Sequence, residues 1–202
     1  MTTVTEAYAK RAAEYTDLIG SVDAAHPSDR SLIEAWARAL SGPAVDAGCG
    51  PGHWTDHLTG LGLDARGIDL VAPFIVGARA RYPGRRFDVE SIEAIAEEDG
   101  SLGGILSWFS TIHYTPSRIA APLAEFARVI RPGGGLLLGY FDAESTEPFT
   151  HAVATAQRWA ARDLRAALER AGFDVVEVHR RSVAGARDVG AIVCERRLAA
   201  TD

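Results

Sequence analysis

Short apolar runs alternate along this chain with longer stretches whose apolar residues recur every three or four positions, a pattern that predicts strands alternating with helices. Tyr8, Ala12, Tyr15 and Ile19 fall on one face of a helix predicted over Thr5 to Ile19. Ile33, Trp36 and Leu40 mark a second, over Arg30 to Leu40, with Pro27 and Ser28 as its start signals. A first strand is predicted over Pro43 to Ala47, a helix from His53 to Leu61, and a second strand from Leu63 that ends in Asp69. Pro73 opens a helix through Arg81, which Tyr82-Pro83-Gly84 closes, and Arg86 to Val89 forms a short third strand.

The second half continues in the same alternation. Leu102 to Phe109 reads as a fourth strand, and Ile119, Leu123, Phe126, Val129 and Ile130 place a helix over Arg118 to Ile130. The turn Arg131-Pro132-Gly133-Gly134-Gly135 then feeds the apolar run Leu136-Leu137-Leu138, as a sharp reversal into a buried central strand. Asp142 to Trp159 is a polar, aromatic-bearing insertion, followed by a helix from Ala161 to Ala171 that Gly172 stops. Phe173 to His179 and Val189 to Glu195 have no helix between them, which implies an antiparallel pair.

The chemistry concentrates where the first strand ends, in Ala44-Val45-Asp46-Ala47-Gly48-Cys49-Gly50-Pro51-Gly52. Glycines at 48, 50 and 52 let the backbone turn sharply and approach a ligand closely, and the N-terminus of the following helix offers unpaired N–H groups. Asp69 lies about 20 residues beyond the first loop glycine, where an acid ending the second strand can bind ribose hydroxyls. A glycine loop with a spaced ribose acid points to an adenosine cofactor.

Val45-Asp46-Ala47-Gly48-Cys49-Gly50-Pro51-Gly52 resembles the first motif of the class I S-adenosylmethionine-dependent methyltransferases, [VIL]-D-x-G-x-G-x-G, at every fixed position. The resemblance extends roughly from Tyr8 to Arg197. It implies an α/β fold, a Rossmann-like three-layer sandwich with a mainly parallel seven-stranded sheet and an antiparallel last strand, as a single domain over residues 1–202. Residues 1–40 would be a helical lid, since Tyr8 to Tyr15 matches the family's Y-x-x-x-A-x-x-Y pattern. S-adenosylmethionine is the implied cofactor, with Tyr15, Asp46, Gly48, Cys49, Gly50, Asp69, Leu70, Ser91, Ile92 and Ser107 as its expected contacts. Phe87-Asp88-Val89-Glu90-Ser91-Ile92 aligns with the family's adenine segment, although Glu90 replaces its usual glycine. Gly103 likewise replaces the acid usual in the fourth-strand segment.

Methyl transfer from a sulfonium is an in-line displacement with a good leaving group, so positioning can supply most of the catalysis. His113, in Ser110-Thr111-Ile112-His113-Tyr114 at the carboxyl end of the sheet, is the general-base candidate. Tyr8, Trp108, Tyr140, His151 and Trp159 are the candidate substrate wall. His53 and His57 are four residues apart on the helix that the loop feeds, with no third metal ligand evident, so no metal is expected. His53 also occupies the place where the dinucleotide fingerprint G-x-G-x-x-G/A needs a small residue, which disfavours a nicotinamide-dependent oxidoreductase. That enzyme and a non-catalytic S-adenosylmethionine-binding regulator are the alternatives.

Composition narrows the partners. The chain has 202 residues, a net charge of −6 and a pI near 5.5, which argues for a small-molecule substrate and against a nucleic-acid partner. The start lacks the basic and apolar regions of a signal peptide, and no apolar run reaches the roughly 18 residues of a membrane helix, so a cytoplasmic protein without a membrane partner is expected. Cys49 and Cys194 show neither metal nor disulfide spacing, and neither is a predicted nucleophile. Monomer and homodimer both remain open.

Overall fold

The computed structural model describes residues 3–198. Its centre is a parallel sheet of β1 (Ala44–Ala47), β2 (Ala65–Asp69), β3 (Arg86–Val89), β4 (Leu102–Trp108) and β5 (Ile130–Asp142) in the order β3-β2-β1-β4-β5. β1 and β4 are almost wholly buried, as strands covered on both faces must be. The connecting helices are α4 (His53–Gly60), α5 (Ala72–Arg81) and α6 (Ala120–Val129). β8 (Phe173–Arg181) and β9 (Val189–Arg196) form the predicted antiparallel pair, and β9 runs antiparallel along β5. The reversal in strand order at β1 and β4 creates a crevice at their carboxyl ends, where open α/β sheets bind ligands.

Alternate side chains divide the core. Val45, Ala47, Ile105, Leu136 and Leu138 pack with Leu123 and Phe126 of α6 and with Leu164 and Leu168 of α7 (Ala161–Arg170). Leu106 and Leu137 face the other way, against Trp54 and Leu58 of α4 and against Ile33 and Trp36 of α3 (Pro27–Ala39). Three layers result. Truncating a fully buried leucine such as Leu137 to alanine would cost about 2–5 kcal/mol.

Four expectations need correction. The single helix predicted over Thr5 to Ile19 is two, α1 (Val4–Lys10) and α2 (Ala12–Ile19), because Arg11 leaves the helical region at φ −116° and ψ 12°. The helix predicted from Arg118 begins at Ala120, and its last predicted residue, Ile130, already pairs with β4. The Pro-Gly-Gly segment does not reverse the chain; it is a bulge within β5, where Leu102 and Gly104 of β4 pair with Ile130 and Gly135. The insertion folds into a hairpin, β6 (Glu147–Phe149) and β7 (Ala156–Trp159), with β7 parallel to Phe141 and Asp142, so the sheet has nine strands rather than seven. No described helix is long and apolar enough to cross a membrane.

Candidate active site

The crevice opens into a cavity of about 790 Å³ at the carboxyl edge of β1, β2 and β4, closed over by α1 and α2. One end is walled by the loop that leaves β1. Gly48 has φ +77°, and a Cβ added there would lie 2.3 Å from the Ser110 Cβ. Gly50 has φ +52° with nothing within 4 Å of the corresponding point, so its bare backbone faces the cavity. This is the room that close approach of a ligand requires.

Two carboxylates hold the loop. Asp46 is buried and accepts from the Thr55 hydroxyl at 2.7 Å, which ties β1 to α4. Burial pushes its carboxyl up to about 7, against the opposing pull of that hydrogen bond. Asp69 accepts from the Gly50 N–H at 2.9 Å and the Val71 N–H at 2.8 Å, so it staples the glycine loop to the end of β2. Burial raises its carboxyl too, with those backbone donors working in the opposite direction.

Tyr15, Asp46, Gly48, Cys49, Gly50, Asp69, Leu70 and Ile92 all line the cavity. Ser91 and Ser107 do not. The Ser91 hydroxyl accepts from the Glu93 N–H at 3.1 Å, and the fully buried Ser107 hydroxyl pairs with that of Ser110 at 2.8 Å. Glu90, which replaces the family glycine, reaches the cavity while its carboxylate is held by Arg66 at 2.8 Å. The Cys49 thiol is held well above its ordinary range by burial, and burial pushes that of Cys194 up to about 12, so neither offers a thiolate.

His113 stands on the loop after β4 and lines the same cavity. Its Nδ1 must donate to the Thr155 carbonyl at 2.8 Å, which leaves the lone pair on Nε2 to accept from the Tyr8 hydroxyl at 3.0 Å. Burial keeps the imidazole below its ordinary pKa and therefore neutral near pH 7. It also holds the Tyr8 phenol far above its own, with Tyr15 adding to the effect. The pair bolts α1 to the loop after β4, and the Arg11 guanidinium donates to the Ala152 carbonyl of the insertion.

Of the nominated substrate wall, Tyr8, Trp108 and His151 line the cavity, whereas Tyr140 and Trp159 are buried in the core among α6 and α7 residues. Phe74, Phe109 and Phe141 line it without having been singled out. Phe74 faces Tyr8 and Tyr15 on the third residue of α5, a place that the helical spacing of that segment marks as inward. Phe109 has the one positive φ among the described non-glycine residues, 57°, and nothing in its sequence neighbourhood signals it.

Residues 44–134 match the family described as a methyltransferase domain. The chain is 30% identical over 139 residues to the malonyl-[acyl-carrier protein] O-methyltransferase of Erwinia billingiae, covering 68% of this chain and 52% of that one. It is also 30% identical over 113 residues to the ubiquinone biosynthesis O-methyltransferase of Burkholderia vietnamiensis, covering 54% and 48%. It thus spans about half the length of the curated relatives it matches. In fold it is similar to the 1,6-didemethyltoxoflavin-N1-methyltransferase of Burkholderia thailandensis, with a TM-score of 0.76 at 18% identity over 96% of this chain and 87% of that one. With the glycine loop, its two carboxylates and this strand order, residues 44–134 form a methyltransferase domain of the class I, S-adenosylmethionine-dependent kind.

Proposed function

We propose that this chain transfers a methyl group from S-adenosylmethionine to an oxygen or nitrogen of a small-molecule acceptor, within one domain in which α1 and α2 form the lid, the remainder of the expected 1–40 lid, α3, packing on the sheet instead. The observation that carries the reading is a single cavity lined by Gly48, Gly50 and Asp69 together with Tyr8 and His113. S-adenosylmethionine supplies a methyl carbon on a sulfonium, open to in-line attack. The bare backbone at Gly50 fits its amino-acid end, Asp69 its ribose hydroxyls, and Leu70, Ile92 and Tyr15 its apolar surfaces. Asp46 acts through Thr55 by fixing the loop.

The acceptor binds between His113 and the lid. Its proton leaves for the Tyr8 oxygen as the Tyr8 proton passes to Nε2 of His113, and the resulting imidazolium is held by the Thr155 carbonyl. Orientation and exclusion of water by α1 and α2 supply the rest. The acidic net charge fits a small acceptor better than a nucleic acid, and a cytoplasmic setting suits both.

Calorimetric titration with S-adenosylhomocysteine and with NAD tests the donor. The thioether is expected to bind one to one, and tight NAD binding with no response to the thioether would refute the reading. Labelled methyl transfer to a panel of phenols and amines then separates an enzyme from a non-catalytic binder.

A further inference from the structure

We propose that the acceptor end of the cavity selects a flat, uncharged aromatic ring carrying a hydrogen-bond acceptor, and that His53 supplies the N–H that orients it. The inference rests on the methyltransferase reading for which end of the cavity receives the acceptor.

Rings form a continuous belt around that end. Trp108 meets Phe109 at 5.4 Å and 89°, and Phe109 meets Phe141 at 5.2 Å and 54°. Phe141 then meets His151 at 6.1 Å, His151 meets His113 at 5.7 Å, and His113 meets Tyr8 at 5.6 Å. Neighbouring rings are tilted or perpendicular throughout, so the belt offers edges and faces to a further ring, the arrangements aromatic pairs favour. Phe109 is kept in the belt at φ 57°, a conformation that a residue with a side chain rarely adopts.

The cations on the cavity wall have carboxylates beside them. The cations lining the cavity are Arg181 and Arg118. Arg181 is clasped by Asp29 at 2.6 and 3.3 Å, and Arg118 stands 3.6 Å from Glu93 at the exposed rim. His53, His113 and His151 are all held below their ordinary pKa by burial. No cation without a carboxylate beside it lines the cavity among the described residues, so a carboxylate entering among the rings would be desolvated with only Arg81, near His53, and Arg187, near His151, to attract it from outside the lining.

His53 is the one cavity-lining residue with a nitrogen that is enclosed and without a hydrogen-bond partner among the described residues, its Nδ1. It opens α4, is 8% exposed, and joins the belt through Trp54, whose ring lies 5.4 Å from His53 and 6.3 Å from Trp108. The ring is neutral, and an N–H enclosed without an acceptor is the costlier choice, so the proton resides on Nε2. Nε2–H is then the donor that His53 offers to the cavity.

The test titrates the chain saturated with S-adenosylhomocysteine, by ligand-observed NMR, with 1-naphthol, 1-methylnaphthalene, 1-naphthoate and the malonyl thioester of N-acetylcysteamine. We expect 1-naphthol to bind at least tenfold more tightly than naphthoate or the thioester, and several-fold more tightly than methylnaphthalene. His53→Phe, which keeps a ring and removes the N–H, should erase the preference for naphthol over methylnaphthalene and leave affinity for S-adenosylhomocysteine within threefold. His53→Gln should retain that preference. Preference for naphthoate or the thioester, or no binding of either uncharged aromatic, would overturn the proposal. So would a tenfold loss of S-adenosylhomocysteine affinity in His53→Phe with the naphthol preference intact, which would place His53 at the donor. Failure of the unmodified chain to bind S-adenosylhomocysteine would instead refute the methyltransferase reading, and this inference with it.

Discussion

The glycine loop and its two carboxylates come from one stretch of chain, Asp46 to Val71, with Tyr15 and Ile92 beside them, whereas the rings around His113 draw on segments as distant as Tyr8 and Phe141. The first is made of backbone, small residues and two carboxylates, all fixed by hydrogen bonds within that stretch. The second is made of side-chain rings brought together by the β4 loop, the insertion and a helical arm. A site for an invariant ligand can be built locally and rigidly, while a site that defines specificity is assembled from segments free to change independently.

If the two ends are separate in function, substitutions should separate them in measurement. The largest effect falls at the acceptor end: His113→Ala should lower kcat by about 10²–10⁴-fold with unchanged S-adenosylhomocysteine affinity, read by labelled methyl transfer and calorimetry. In the unmodified enzyme kcat/KM should rise with pH and level off below the ordinary histidine pKa, since burial depresses that of His113 and only its neutral form accepts a proton.

At the donor end, Gly48→Val combines a positive φ with the Ser110 contact and should cost about 2–5 kcal/mol in stability and abolish donor binding, seen by chemical denaturation and titration. Asp69→Ala should weaken S-adenosylhomocysteine by about 10–100-fold through the loss of charged hydrogen bonds, and unchanged affinity would remove Asp69 from the donor wall.

A further effect, read in stability against pH, concerns Asp46. Its carboxyl is pushed up to about 7 in the folded chain from 3.8, so the folded state binds more protons than the unfolded one between those values. Its contribution is therefore full below about pH 4 and lost as pH rises through about 7. Asp46→Asn, whose side-chain oxygen still accepts from Thr55, should gain on the unmodified protein across that window by up to about 1.4 kcal/mol per pH unit, measured by denaturation at several pH values.

The same contrast explains what the sequence revealed. The glycine loop, Asp69 and the alternation of strands with helices were legible because their signals are contiguous, and the apolar runs of buried parallel strands are hard to mistake. The break at Arg11 was not, since the apolar face of Tyr8, Ala12, Tyr15 and Ile19 is consistent with one helix or two. Ser107 is enclosed between layers beside Ser110, a placement set by how β4 sits between β1 and β5. Phe109, Phe141 and Arg181 carry no local motif, because what makes them a wall is strand pairing and loop packing at long range. Asp69 was found by spacing, but its staple to the Gly50 N–H appears only once β2 lies beside β1.

The most direct test of the central claim is a crystal structure of the chain grown with S-adenosylhomocysteine. The account predicts the ribose against Asp69, the amino-acid tail along Gly48 and Gly50, and the sulfur facing the Tyr8–His113 pair. An adenosine compound lodged anywhere else, with that crevice closed to it, would contradict the account.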